Sequence, residues 1–176
     1  MKPAPERHLV EARLTFDAFF AADYRAVVGL AAVLCGDRAV AEELAQEAFV
    51  AAFRRWETVG TYDDPGGWVR RVVANMATSV WRSRLREASA LARLRSRQQP
   101  AAELSAVDSD FWAGVRRLPR RQTQCVALHY LEDRPVDEIA AVLGIASSTV
   151  RVHLHQGRIA LARMLGEREE DDHDGR

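Results

Sequence analysis

Ser148, Arg151, Val152, His155 and Arg158 recur on one side of a stretch with helical periodicity, and together they form a face suited to the edge of a nucleic-acid duplex. Arginine presents a planar fork that matches guanine edges and phosphate oxygens. A second set lies upstream. Arg71, Asn75, Thr78 and Arg82 fall at i, i+4, i+7 and i+11, opposite an apolar row made of Val69, Val72, Val73, Met76, Ala77 and Val80. A helix with this pattern packs one side on a bundle and offers the other to something polar.

The charge distribution agrees. The chain of 176 residues has a formal net charge of zero, which by itself argues against a nucleic-acid partner. The charges are unevenly spread, however. Eight arginines and a single acid, Glu87, lie between Trp68 and Arg97, and eight arginines and four acids lie between Phe111 and Leu165. The remaining acids gather in the first two helices and in the tail. Two basic zones on a neutral chain suit two separate nucleic-acid contacts.

Catalysis fits poorly. The five histidines are scattered, and His153 and His155 point to different faces of their helix, so they make a poor metal pair. There is no nucleophile motif and no phosphate-binding glycine loop. Cys35 and Cys125 are far apart and read as small buried hydrophobes rather than a zinc set or a disulfide framework. No cofactor and no metal are expected. The start, Met1 to Glu11, is charged and lacks the apolar segment of a signal peptide. No apolar run approaches the roughly 20 residues that span a bilayer. The expectation is a soluble, cytoplasmic protein without membrane insertion.

The supporting elements read as all-α. A helix capped by Thr15 runs to about Leu34, and Cys35-Gly36-Asp37 ends it and caps the next, which runs to about Trp56. After a loop with Gly60, Asp63 and Asp64, Pro65 suits a new helix start. From Ser83 to Asp110 the pattern decays into a linker around Gln98-Gln99-Pro100. In the second block, Asp137 to Gly144 is a short amphipathic helix closed by glycine. Ile145-Ala146 makes a turn, Ser147 or Ser148 caps the next helix, and Val150, Leu154, Leu161 and Leu165 form its buried stripe. That is helix-turn-helix spacing. The tail from Glu167 is acidic and reads as disordered. A helix-turn-helix alone would also fit a ligand-sensing regulator, but such a protein has no use for the Arg71, Asn75 and Arg82 stripe.

Leu118-Pro119-Arg120-Arg121-Gln122, Val126 to Glu132, Glu138-Ile139-Ala140 and Thr149-Val150-Arg151 together resemble the fourth conserved region of extracytoplasmic-function sigma factors of the sigma-70 family. Independently, Asp37 to Phe49 resembles their polymerase-binding helix, and Gly67 to Ala77 resembles their minus-ten helix. Two departures stand out: Ser79 occupies a position that is usually acidic, and Val152-His153 occupies one that usually carries a Ser-Arg type of pair.

The resemblance implies two small helical domains joined by a flexible linker: residues 12–88 binding core polymerase and the minus-ten element, a linker over 89–109, a helix-turn-helix domain over 110–166, and an acidic tail over 167–176. It implies a non-enzymatic promoter-recognition factor that helps to melt DNA. Glu43, Gln46, Glu47 and Phe49 would dock on the clamp helices of the largest subunit of core RNA polymerase. Trp68, Arg71, Asn75 and Arg82 would hold the minus-ten strand, and Ser148, Arg151, Val152, His155 and Arg158 would read the minus-thirty-five duplex. Further expected partners are promoter DNA, the flap of the second-largest polymerase subunit and an anti-sigma factor.

Overall fold

The computed structural model describes residues 15–92 and 106–173, and within them the chain forms eight helices and no strand. The first four are α1 (Phe16–Cys35), α2 (Arg38–Phe53), α3 (Trp56–Val59) and α4 (Pro65–Ala92). The second four are α5 (Ala106–Arg117), α6 (Arg120–Tyr130), α7 (Val136–Leu143) and α8 (Ser147–His173).

Local chemistry sets the boundaries. Thr15 caps α1 by accepting from the Ala18 N–H at 3.3 Å. Gly36 ends the helix in the left-handed region, at φ 72°. Asp37 caps α2 by accepting from the Val40 N–H, and Arg84 of α4 bonds the same carboxylate at 3.0 Å. These two interactions, the Val40 N–H first, hold the Asp37 carboxyl below its usual range. Asp64 caps α4 through the Gly67 N–H at 2.7 Å, with Pro65 as the first helical residue. The second helix ends at Phe53, earlier than Trp56, because a short turn breaks the chain and α3 restarts it.

α1 is the central helix of the first domain and packs on both α2 and α4. By length and mean hydropathy (1.6) it is apolar enough to cross a membrane, contrary to the expectation that no run approaches that limit. Its apolar residues include Phe19, Val27, Leu30, Ala31 and Leu34, all buried in the bundle core. Phe16, Phe19, Phe20, Tyr24, Phe49, Phe53 and Trp56 form one aromatic cluster at its start, with Phe19 and Trp56 stacked at 5.0 Å.

In the second domain the Thr123 hydroxyl donates to the Val115 and Leu118 carbonyls, closing the corner between α5 and α6. Gly144, at φ 64°, ends α7, and the Ile145 N–H reaches back to the Ala140 carbonyl. Val150, Leu154 and Leu161 of α8 are buried as the stripe required, whereas Leu165 is half-buried. Gly157, also on α8, sits so close to α6 that a Cβ would lie 2.9 Å from Val126 Cγ2. The expected disordered tail is instead helical backbone to His173. Arg, Leu, Met and Glu are good helix formers, and Gly166 is the sole weak residue from Leu161 to Glu170. The core of the expected linker, 93–105, lies outside the described residues, as do 1–14 and 174–176. α4 extends past residue 88 and α5 begins before 110, so helix covers both ends of that linker.

Candidate nucleic-acid interface

On α8, Ser148, Arg151, Val152, His155 and Arg158 are all exposed and share the outer face, with the buried stripe behind them. Ser147 does not act as the cap; its hydroxyl donates to Asp137 of α7, bracing the turn before the outer face. Arg158 lies over the Tyr130 ring, its Cζ 6.0 Å from the centroid. His153, on the other side, turns inward and its Nδ1 is buried.

On α2, Glu43, Gln46 and Glu47 are exposed and line a shallow depression with Val50, Ala51 and Arg54. Phe49 corrects the expectation for this group. It is 1% exposed and packs against Phe16, Phe19, Phe20 and Tyr24, because its position on α2 faces α1. The exposed apolar groups nearby are Val50 and Phe53, at 47% and 62%.

On α4 the expected stripe splits. Thr78 is buried, and its hydroxyl bonds the Ala74 carbonyl of its own helix. Arg82 is exposed and Trp68 half-buried. Arg71 is exposed, yet its Nη2 reaches the Leu143 carbonyl at the end of α7, at 3.4 Å. Asn75 is half-buried. Its Oδ1 accepts from Arg120 Nη2 at 2.6 Å and from Gln124 Nε2 at 3.1 Å. A cleft of about 440 Å³ is walled by Tyr62, Asp63, Asp64, Gly67, Trp68 and Arg71 on one side and by Ala141 and Val142 of α7 on the other.

Several residues that hold this region were not singled out from the sequence. Arg70 is 7% exposed and bridges Asp23 of α1 (2.6 Å) and Glu132, which follows α6 (2.8 Å). Burial disfavours its charge, but the two carboxylates outweigh that and raise its pKa. Arg134 pairs with Asp64 at 2.9 Å and with Glu138 at 3.2 Å. Arg116 of α5 donates to the Val33 carbonyl of α1 at 3.0 Å and lies over the Trp81 ring; burial lowers its pKa. Trp81 is thus half-buried beneath a guanidinium, while Trp112 is buried. Both cysteines are buried and free, and burial pushes the Cys125 thiol up to about 11. No cluster of metal-ligating side chains occurs among the described residues.

The chain is similar to characterised families over both halves. Residues 19–87 match the family model of sigma-70 region 2, and residues 110–161 match that of sigma-70 region 4. It is 31% identical over 144 residues to an RNA polymerase sigma-E factor of Streptomyces antibioticus, covering 81% of this chain and 78% of that one. It is 32% identical over 149 residues to the ECF RNA polymerase sigma factor SigE of Mycolicibacterium smegmatis, covering 79% of this chain and 57% of the relative. Among solved structures, the sigma factor RpoE in complex with the anti-sigma factor NepR from Bartonella quintana has a similar fold, with TM-score 0.66, 21% identity, and coverage of 86% of this chain and 96% of that one.

Proposed function

The chain belongs to the extracytoplasmic-function sigma factors of the sigma-70 family, transcription initiation factors for RNA polymerase, and on that premise we propose that three of its surfaces divide the work of promoter recognition. The α2 face bearing Glu43, Gln46 and Glu47 docks on a basic partner helix, the clamp helices of the largest polymerase subunit. Exposed Val50 and Phe53 supply the apolar part of that contact in place of buried Phe49. The second domain meets the flap of the second-largest subunit.

The α4 stripe holds the minus-ten element as a single strand. Asn75 carries a donor and an acceptor for a base edge, Trp68 supplies a ring beside the cleft, and Arg71 and Arg82 supply charge for the backbone. A strand held in this way is withdrawn from its duplex, which assists melting. The outer face of α8 enters the major groove at the minus-thirty-five element. Arg151, in the second turn, reaches a base edge, and Arg158, two turns on, meets phosphate. An anti-sigma factor is a further partner, and the site of action is the cytoplasm, where polymerase meets the chromosome. No cofactor enters the scheme.

The observation that carries this proposal is the α8 face: five residues suited to a groove, exposed together, on a helix fixed from behind by Val150, Leu154 and Leu161. Run-off transcription with purified core polymerase on genomic fragments tests it. Promoter-specific transcripts that depend on the chain are expected; core that is neither bound nor redirected would refute it.

A further inference from the structure

We propose that the cleft between α4, α5 and the start of α6 is a binding site for a small polyphosphate anion, gripped by Arg82, Arg86, Arg116 and Arg117. Arg82 also belongs to the stripe assigned to strand holding. The other three have no part in that scheme.

Four guanidiniums and no carboxylate line this cleft of about 640 Å³. Arg38, Arg70, Arg84 and Arg134 each pair with a carboxylate, but among the described residues none of these four does. Arg82 and Arg86 stand at i and i+4 on α4, a spacing at which like charges repel. Arg86 Nε donates to the Arg82 carbonyl at 3.3 Å, which keeps it on that turn. Arg116 and Arg117 come from the last turn of α5. Arg116 is anchored, with Nη1 on the Val33 carbonyl at 3.0 Å and Cζ 5.4 Å from the centroid of the Trp81 ring. Its Nε and Trp81 Nε1 are buried donors that find no acceptor among the described residues. Pro119, the N-cap of α6, lies in the same wall and brings no side-chain oxygen to the first amides of that helix. The positive end of the α6 dipole therefore adds to the field of the arginines.

The arrangement selects the kind of anion. A space of this size suits a small molecule. Guanidinium forks match phosphate oxygens two at a time. A single carboxylate would leave most of four positive charges uncompensated, whereas a polyphosphate carries several negative charges within a few bonds and meets arginines from both helices at once. Arg82, Arg86 and Arg117 are exposed and free to turn toward it. Arg116 is already drawn out of water, which disfavours its charge, so a counter-ion beside it is worth more there than at the surface. A DNA backbone offers phosphates one per nucleotide along an open track, but these cations converge from two helices on one cleft.

The test titrates the full chain with pyrophosphate by calorimetry, with sodium chloride holding the ionic strength constant, and follows the Tm in the same solutions. Saturable binding and a rise in Tm are expected, with orthophosphate about tenfold weaker. Arg86→Ala and Arg117→Ala should each weaken pyrophosphate about tenfold, the effect of losing one charge-assisted hydrogen bond. Arg25→Ala, which removes an exposed arginine of α1 outside the cleft, should leave the affinity unchanged. Circular dichroism checks helicity. Where an alanine variant loses it, Arg86→Lys or Arg117→Lys takes its place and should weaken binding by a smaller factor, because the charge stays and the fork is lost. Neither saturable heat nor a shift in Tm, or an equal loss in all three alanine variants, overturns the proposal. Fluorescence anisotropy with a randomised single-stranded DNA oligonucleotide and with a glutamate-rich peptide completes the test. If Arg117→Ala weakens either of these as much as it weakens pyrophosphate, the cleft serves a strand or an acidic protein segment, and the small-anion site falls.

Discussion

Arg70 of α4 and Glu132, just beyond α6, are 62 positions apart in the chain and meet through two bonds of 2.8 Å from a single Nε, both side chains less than a tenth exposed. Glu132 also touches Arg134 at 3.3 Å, so one carboxylate serves two arginines. Removing one member of a fully buried ion pair usually costs about 3–5 kcal/mol. Here Arg70 keeps a second carboxylate, Asp23 at 2.6 Å, so its charge is not left unpaired. Glu132→Ala should therefore lower stability by less, about 1–3 kcal/mol, while amide exchange accelerates along the α4–α6 seam. Chemical denaturation with hydrogen exchange measures both, and a full-sized loss with no local opening would contradict this.

Arg151 and Arg158 should differ in kind when each is changed to Ala. A bidentate arginine–guanine contact discriminates by about 1–3 kcal/mol. Arg151→Ala should relax preference at one or two base pairs. Arg158→Ala should weaken every duplex alike and reduce the salt slope by about one. An affinity matrix of variants against promoter duplexes at two salt concentrations decides between base reading and uniform attraction.

Asp37 links α2 to pH. Its carboxyl is held below the usual range in the folded chain, so its contribution is present above the unfolded value, about 3.9, and disappears as pH falls through the lower folded value. Asp37→Ala should cost about 1 kcal/mol at neutral pH, and the deficit should shrink steadily in acid. Urea unfolding of both proteins across that range is the measurement.

Two glycines should respond oppositely to alanine. Gly29 of α1 has nothing within 4 Å of a new Cβ, so Gly29→Ala should stabilise by up to about 1 kcal/mol, the difference in helix propensity. Gly157 faces buried Val126, whose branched side chain has little room to move. There overpacking, about 1–3 kcal/mol, should outweigh the helical gain and lower the Tm. Thermal melts of the two single variants test the pair.

Much of this architecture was legible because it is local. Thr15, Asp37, Pro65 and Gly144 announce helix ends through chemistry confined to a few neighbouring residues, and the outer face of α8 follows from period alone. Phe49 was misplaced because the resemblance assigned it to docking, whereas its ring completes an aromatic cluster assembled from α1, α2 and α3. Thr78 matched the polar stripe by spacing, yet a hydroxyl that can bond its own helix tolerates burial. Nothing in the sequence pointed to the pairings of Arg70, Arg116, Arg120 and Gln124. Each sits in an ordinary basic or polar run, and its partner lies 45 or more positions away.

The chemistry of the seam also bears on what would face solvent if the two domains separated. The Arg70, Asn75, Glu132 and Arg134 contacts consist of carboxylates, guanidiniums and amides, with Trp68, Ala141 and Val142 beside them, while the aromatic cluster and the α6–α8 packing lie within their own domains. A separated molecule would therefore present charged groups around a small apolar patch at Trp68, Ala141 and Val142, and a patch of that size is ordinary on a soluble surface.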